Sequence, residues 1–526
     1  MSVGPAASGG PAGGAAAAIE LGTGGVTAAD VMAVARHRAT VRLGASVVDA
    51  MSRSRGFVEA MAAGPVPVYG VSTGFGALAT RHIDQGSRAR LQQSLLRSHA
   101  AGMGNVVDVE ITRGLMFLRL RTLATGRTGA RPVVAQALAA LLNAGITPVV
   151  REHGSLGCSG DLAPLAHCAL ALIGEGEVLG ADGEPTATGP VLEASGIGPV
   201  NLEAKEGLAL INGTDGMLAM LVMACEDMDR LCRVADVTAA LSVEALLGTD
   251  QAFLPGLQHD LRPHPGQAAS AANLLAMLRG SAIVASHRTD DPRVQDAYSL
   301  RCAPQVTGAV RDTIAHARTV AERELRSAID NPVVLADGTI ASNGNFHGAP
   351  LAYVLDFLAI CVADLGSIAE RRTDRLLDPA RSHGLPPFLA ADPGVDSGLM
   401  IAQYAQAAMV SENKRLACPA SVDSIPSSAM QEDHVSMGWS AGLKLRTAIV
   451  NLRRILAVEL VTAARAVELR APLRPAPATS AVIAALRRTV PGAGPDRWLS
   501  PELEEADRLI ASGGVLEAAN QVVALQ

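Results

Sequence analysis

The sequence predicts an all-α protein, a long central helix bundle with a loop-rich N-terminal domain in front of it. Three observations carry that expectation. Of the 526 residues, 49% are hydrophobic but only 2% are aromatic. The core therefore has to be built from Ala, Leu, Val and Ile, and Ala and Leu above all favour close-packed helices. Leu351, Leu355, Leu358, Val362 and Leu365 recur three and four apart, and Leu445, Ile449, Leu452, Leu456 and Leu460 repeat the pattern. Each set lines up one apolar face on a long helix. Finally, the length exceeds a single ordinary core and implies two or three subdomains.

Residues 1–25 are rich in Gly and Ala, and the first basic residue is Arg36. A secretory signal needs a positive start and an apolar run, so this segment reads as a disordered tail. The N-terminal domain is expected over 26–220. Thr27 caps its first helix, with Asp30 three residues on. Residues 64–80, GPVPVYGVSTGFGALAT, read as a loop. Helical patterns follow at 86–101, 109–125 and 131–144. Residues 178–200 carry many Gly and Pro and read as an exposed excursion with a hairpin, and 205–250 as helix. The long-helix bundle is expected over 221–475, interrupted by loops at 292–308, 383–397 and 418–436. A small helical segment, 476–526, closes the chain. Leu351 to Ala369 is interrupted by Asp356 and Asp364 and reads as a buried helix, not a membrane span. A mean hydropathy of +0.25 without a span implies helices buried on several sides, as in an oligomer.

Several function classes are excluded. The net charge of -7, with acids and bases interspersed, is not a nucleic-acid footprint. The seven cysteines show no CxxC and no paired metal spacing, which fits reduced thiols in a cytoplasmic protein. The histidines of HPG (264–266) and NGNFH (343–347) lack helical i, i+4 spacing and companion thiolates or acids, so no metal is expected.

The stretch EHGSLGCSGDLAPLAH, residues 152–167, is too flexible for a helix interior and too small for a packed strand. A nucleophilic Ser159 would need a base and an oxyanion hole, and the G-x-S-x-G elbow is absent. A phosphate loop would need a nearby lysine, and there is none. A third chemistry uses the backbone. In a tight bend the Gly160 nitrogen can attack the Cys158 carbonyl, since glycine has no Cβ to block the approach. Loss of that water and of the Ser159 hydroxyl would leave a ring with an exocyclic methylene. From the residues alone, a helical scaffold with a glycine turn, or a serine hydrolase, stays open beside this reading.

GSLGCSGDLAPLAH closely resembles the signature of the aromatic amino acid ammonia-lyase superfamily. YGVSTGFGALAT, LLRSHAAGMG, AKEGLALINGTDG, VQDAYSLRCAPQ, SNGNFHGAP and QEDHVSMG are similar to further segments of the same family. The match runs from about residue 27 to 475. The signature usually reads Ala-Ser-Gly, and Cys158 departs from it; its side chain would hang off the ring and not enter it. The resemblance implies that Cys158, Ser159 and Gly160 form the electrophile 4-methylidene-imidazol-5-one (MIO), with Asp161 assisting closure.

The resemblance also implies roles for residues that alone would be ordinary packing or surface groups. Tyr69 is implied as the base that removes the substrate's β-proton, on a glycine-rich loop able to close as a lid. Arg301 resembles a carboxylate clamp, binding through a guanidinium fork. Tyr298 is implied in positioning the MIO and in protonation, with Gln295 nearby in sequence. Asn212 would bind the MIO carbonyl or the substrate carboxylate, and Phe346 would pack near the reacting carbons. Ser98-His99 and Glu432 resemble the imidazole-binding branch, since an acid aimed at a side-chain pocket suits imidazole and not phenyl. The implied reaction is deamination of L-histidine to trans-urocanate and ammonia. The alternatives within the family are a tyrosine or phenylalanine lyase or a 2,3-aminomutase. A homotetramer whose active sites are shared between subunits is also implied, with an amino acid as the small-molecule partner and neither nucleic acid nor membrane.

Overall fold

The computed structural model describes residues 18–64, 67–78, 80–289 and 291–526. Helices dominate, at 58% of the described residues against 6% strand. The strands form four two-stranded pairs among the described residues, too few to carry a core, so the fold is all-α. The expected N-terminal tail lies outside the described residues over 1–17. Its last part is ordered, contrary to the tail reading. Ile19–Leu21 pairs in parallel with Val41–Leu43, because Leu21 and Val41 bury their side chains.

The chain divides into two compact units. The first comprises residues 1–222, 321–349 and 423–439, and the second 223–320, 350–422 and 440–526. In the first, Thr27 and Asp30 form the expected capping box of helix Ala28–Ala35. Helices Arg88–His99, Val109–Ala124 and Pro132–Asn143 fall where the periodicity places them. The Gly/Pro excursion holds the hairpin Glu177–Leu179 with Pro185–Ala187, and also a helix, Thr188–Ala194, that its composition conceals. The pattern read as one helix over 205–250 is broken: Glu206–Ile211 and Asp215–Ala245 are separate.

Helix Val109–Ala124 is buried from Ile111 onward, three arginines included. Burying a charge is costly unless its donors are met, and most of these are, Arg121 Nε being left without a partner. The Arg113 guanidinium donates to the Val34 and Leu142 carbonyls. Arg119 donates to Asp215 and to the Ala209 carbonyl, and Arg121 to the carbonyls of Ser327 and Glu324. Burial lowers Arg113 and Arg121 to about 10. These side chains tie separate loops of the first unit to one helix.

In the second unit, Leu351, Leu355, Leu358, Val362 and Leu365 are buried along helix Ala349–Leu377. This helix is long and apolar enough to cross a membrane, but 61% of its most apolar window is buried within the protein. Its Tyr353, Phe357 and Ile360 are exposed. Glu459 is fully buried and accepts from Arg372 Nε and Nη2 at 2.5 and 3.0 Å, from Thr238 at 2.8 Å and from Ser242 at 2.9 Å. Removing one partner strands a charge in a low dielectric, whereas removing both does not. Arg372→Met is therefore expected to lower unfolding free energy by about 3–5 kcal/mol in urea titrations. The double variant Arg372→Met/Glu459→Leu should recover most of that loss.

Candidate active site

The Gly-rich loop lies against the break between the two helices at 212–214. The Asp161 N–H donates to the Gly213 carbonyl at 2.7 Å, and Gly160 and Gly213 form a parallel bridge. Gly160 has φ +80 and Gly157 φ +68. A Cβ at Gly160 would collide with the Gly213 carbonyl, and one at Gly157 with the Ser436 hydroxyl. Only glycine meets both the torsion and the spacing. Next to this contact the Asp161 carboxylate accepts from the Gly216 and Met217 N–H groups at 2.9 and 3.0 Å and from Ser155 Oγ at 3.1 Å. The first-turn donors of helix Asp215–Ala245 have no partner within the helix, and Asp161 supplies one from a distant loop. Its burial is complete and pushes the carboxyl up to about 7. Arg119, paired with Asp215, backs the Gly213 turn.

A cavity of about 670 Å³ in the first unit is lined by Tyr69, His99, Ser159, Asn212, Asn331 and Glu432, among others. Tyr69 sits on the loop between helices Ala45–Ala63 and Arg88–His99. Its hydroxyl oxygen accepts from the Gly76 N–H at 3.1 Å, and its ring meets Phe75 edge-on at 6.3 Å. His99 ends its helix, and Ser98 Oγ lies 3.0 Å from its Nδ1. Desolvation lowers the His99 pKa, partly opposed by a backbone hydrogen bond at Leu95 and by the charge of Glu432. The Asn212 amide donates to the Asn331 carbonyl at 2.8 Å, which fixes its orientation. Asn212 Oδ1 and Glu432 Oε2 are buried and have no hydrogen-bond partner. Other buried acceptors of the chain also lack a partner, Asp236 Oδ1 and Gln406 Oε1 among them, but these two belong to residues lining the cavity, where a ligand can meet them. Leu95, Leu162, Leu208 and Ile211 supply its apolar wall. Cys158 is half-buried beside Ser159, and desolvation pushes its thiol up.

The structure thus gathers Tyr69, His99, Ser159, Asn212 and Glu432 around one cavity, with Cys158, Gly160 and Asp161 on the loop that delivers Ser159. Phe346 belongs to the same unit but does not line the cavity. Gln295, Tyr298 and Arg301 fall in the second unit and do not line it either. There the Arg301 guanidinium lies over the Tyr298 ring at 4.7 Å, Tyr298 is 72% exposed, and Arg301 Nε is buried without a partner. Sequence reasoning missed Asn331, Ser155, Gly213 and Ser436. Ser436 Oγ donates to the Gly157 carbonyl at 3.2 Å, and Met437 N–H to Leu156 at 2.9 Å. No spacing signal could show that residues 436–437 buttress residues 156–157.

The family model for aromatic amino acid lyases matches residues 26–488. The histidine ammonia-lyase of Streptomyces avermitilis is 67% identical over 96% of this chain and 98% of its own length, and that of Streptomyces coelicolor is 66% identical over the same shares. Among solved structures, tyrosine aminomutase from Streptomyces globisporus superposes with a TM-score of 0.91 at 39% identity, covering 97% of this chain and 100% of that one. Histidine ammonia-lyase from Trypanosoma cruzi superposes with a TM-score of 0.88 at 37% identity, covering 97% and 96%.

The buried Asp161 generates a pH prediction. Its folded pKa lies above the ordinary 3.8, so the native state holds the proton more tightly than the unfolded chain. Its contribution to stability is full below about pH 4 and is lost as pH rises through about 7. Asp161→Asn cannot ionise. In urea unfolding across this window, the variant's stability relative to wild type should improve as pH rises. A pH-independent difference would show that Asp161 is not protonated in the fold.

Proposed function

The chain belongs to the aromatic amino acid lyase family, and from that premise we propose that it is a histidine ammonia-lyase, converting L-histidine to trans-urocanate and ammonia. The observation that carries the choice of substrate is the pairing of His99 with a buried, unpartnered Glu432 carboxylate oxygen on one cavity. An imidazole N–H satisfies that acceptor; a phenyl ring leaves it stranded. The structural likeness to a tyrosine aminomutase keeps a tyrosine-directed reaction as the second reading, and His99 and Glu432 weigh against it.

The loop at 158–160 fits the MIO group that the family implies. Gly160 holds a left-handed torsion in a bend packed too closely on Gly213 for a Cβ, and a glycine in a tight bend is what closure of its nitrogen on the Cys158 carbonyl calls for. Once formed, the group is an electrophile that turns the substrate amine into a better leaving group. The chain's own residues do the rest. Asp161 holds the loop in the bend. Tyr69, its oxygen already accepting from Gly76, takes the β-proton. Asn212, one amide hydrogen already given to Asn331, donates the other to the MIO carbonyl or the substrate carboxylate, and Arg301 binds the substrate carboxylate through its fork. Tyr298 helps to position the MIO and serves the protonation steps, Gln295 contacts the substrate, and Phe346 packs near the reacting carbons. We propose that the enzyme is a cytoplasmic homotetramer with sites shared between subunits; the exposed Tyr353, Phe357 and Ile360 support an apolar face that a further copy covers.

Intact mass tests the cofactor. Active enzyme should weigh two waters less than its sequence, and Ser159→Ala should lose that deficit and all turnover. Specificity is tested by an ultraviolet assay with histidine, tyrosine and phenylalanine side by side. His99→Leu and Glu432→Ala should each cost about 1–3 kcal/mol of transition-state binding for histidine; normal histidine turnover in both would displace the pocket. Tyr69→Phe keeps the ring and its packing, so the mass deficit and substrate binding should persist while kcat falls ~10²–10⁴-fold. Near-wild-type urocanate formation by this variant would move the base to another group, with Tyr298 next.

A further inference from the structure

A second cavity, of about 290 Å³, lies in the first unit where helix Ala45–Ala63, the turn after helix Val109–Ala124 and the hairpin at 333–341 meet. Arg53, Ser54, Phe57, Arg127 and Leu335 line it, and no acidic side chain does. Among the described residues neither the Arg53 nor the Arg127 guanidinium has an ion-pair or hydrogen-bond partner. Ser54 is 3% exposed, and its hydroxyl also lacks a partner. Arg53 is exposed and Arg127 half-buried, so water reaches both guanidinium groups, and Ser54 supplies the one buried donor at this cavity that lacks a partner among the described residues. The walls are fixed. The Val334 N–H donates to the Arg127 carbonyl at 2.8 Å, and the Phe57 ring packs on Gly338, where a Cβ would strike it. Carbonyls at the end of helix Val109–Ala124 would repel an anion, but the turn takes them up. Thr125 and Gly126 N–H groups and the Thr125 hydroxyl donate to them.

We infer that this cavity is a second ligand site, separate from the substrate cavity, for a small oxyanion, phosphate or carboxylate. Arg53 and Arg127 grip the charged head, Ser54 donates to it, and Phe57 and Leu335 cover a short apolar body. Charge-assisted hydrogen bonds from guanidinium to such a head are the strong kind, and the volume suits a ligand at the small end of the usual range.

Calorimetric titration of the full-length protein with inorganic phosphate, and separately with butyrate, tests this. At least one anion should bind, one per chain, with a Kd below about 1 mM, and the tighter of the two identifies the source of the oxyanion. The double variant Arg53→Gln/Arg127→Gln should bind at least about tenfold more weakly, and Ser54→Ala should also weaken it. The bound anion should raise the Tm of wild type and not that of the double variant. His99→Leu, altered in the substrate cavity, should keep the anion affinity. Absence of saturable binding by both anions would overturn the inference. So would unchanged binding by a double variant that melts like wild type, or loss of binding in His99→Leu.

Discussion

The structure turns on one backbone contact, the apposition of Gly160 and Gly213. Two chain segments meet there with no side chain between them, joined by the Asp161 N–H and the Gly213 carbonyl. Everything at the site is placed relative to this contact. Asp161 reaches past it to satisfy the first turn of helix Asp215–Ala245, so the Gly-rich loop and the helix are fixed to each other. Gly213 in turn rests on the Arg119–Asp215 pair. A bend this tight in a free loop would relax, and here buried hydrogen bonds from three sides keep it.

The same economy appears in the treatment of charge. A chain built from small aliphatic residues has few polar groups to spare, yet it buries Arg113, Arg119, Arg121, Arg372 and Glu459. Each arginine donates several hydrogen bonds to carbonyls or carboxylates of distant segments, and Glu459 accepts from Arg372, Thr238 and Ser242. Such groups add little net stability, but they admit few alternative arrangements, and they hold in register loops that an Ala- and Leu-rich core alone would let slide.

Where acceptors are left unmatched, the molecule points to ligands. Asn212 Oδ1 and Glu432 Oε2 are stranded on residues of the large cavity, and Ser54 Oγ on the small one. Other buried atoms without a partner, such as Asp236 Oδ1, Glu244 Oε2 and Gln406 Oε1, belong to residues that line neither cavity, so what gives these three their meaning is the cavity beside them. In the large cavity the unmatched carboxylate and His99 favour an imidazole over a hydrocarbon ring, which bears on the choice between a histidine lyase and the tyrosine-directed relatives that share the fold.

The sequence by itself determined the helical class, because apolar spacing of three and four residues admits no other regular structure over stretches as long as 351–365 and 445–460. It also determined the first capping box and the peculiarity of the 152–167 loop, since a run so rich in glycine suits neither a helix interior nor a packed strand. Tyr69, His99, Ser159, Asn212 and Glu432 could be named one by one from their motifs. That they surround a single cavity was decided by tertiary structure alone, because segments up to 363 residues apart, from 69 to 432, meet through contacts that leave no local periodic trace. The helix break at 212–214 carries a turn signal in Asn212-Gly213 that the reading of one helix over 205–250 passed over, and the Asp161 N–H bonded to the Gly213 carbonyl helps to hold it. The ordered strand at Ile19–Leu21 escaped because three residues gain regularity only from the partner strand they lie against.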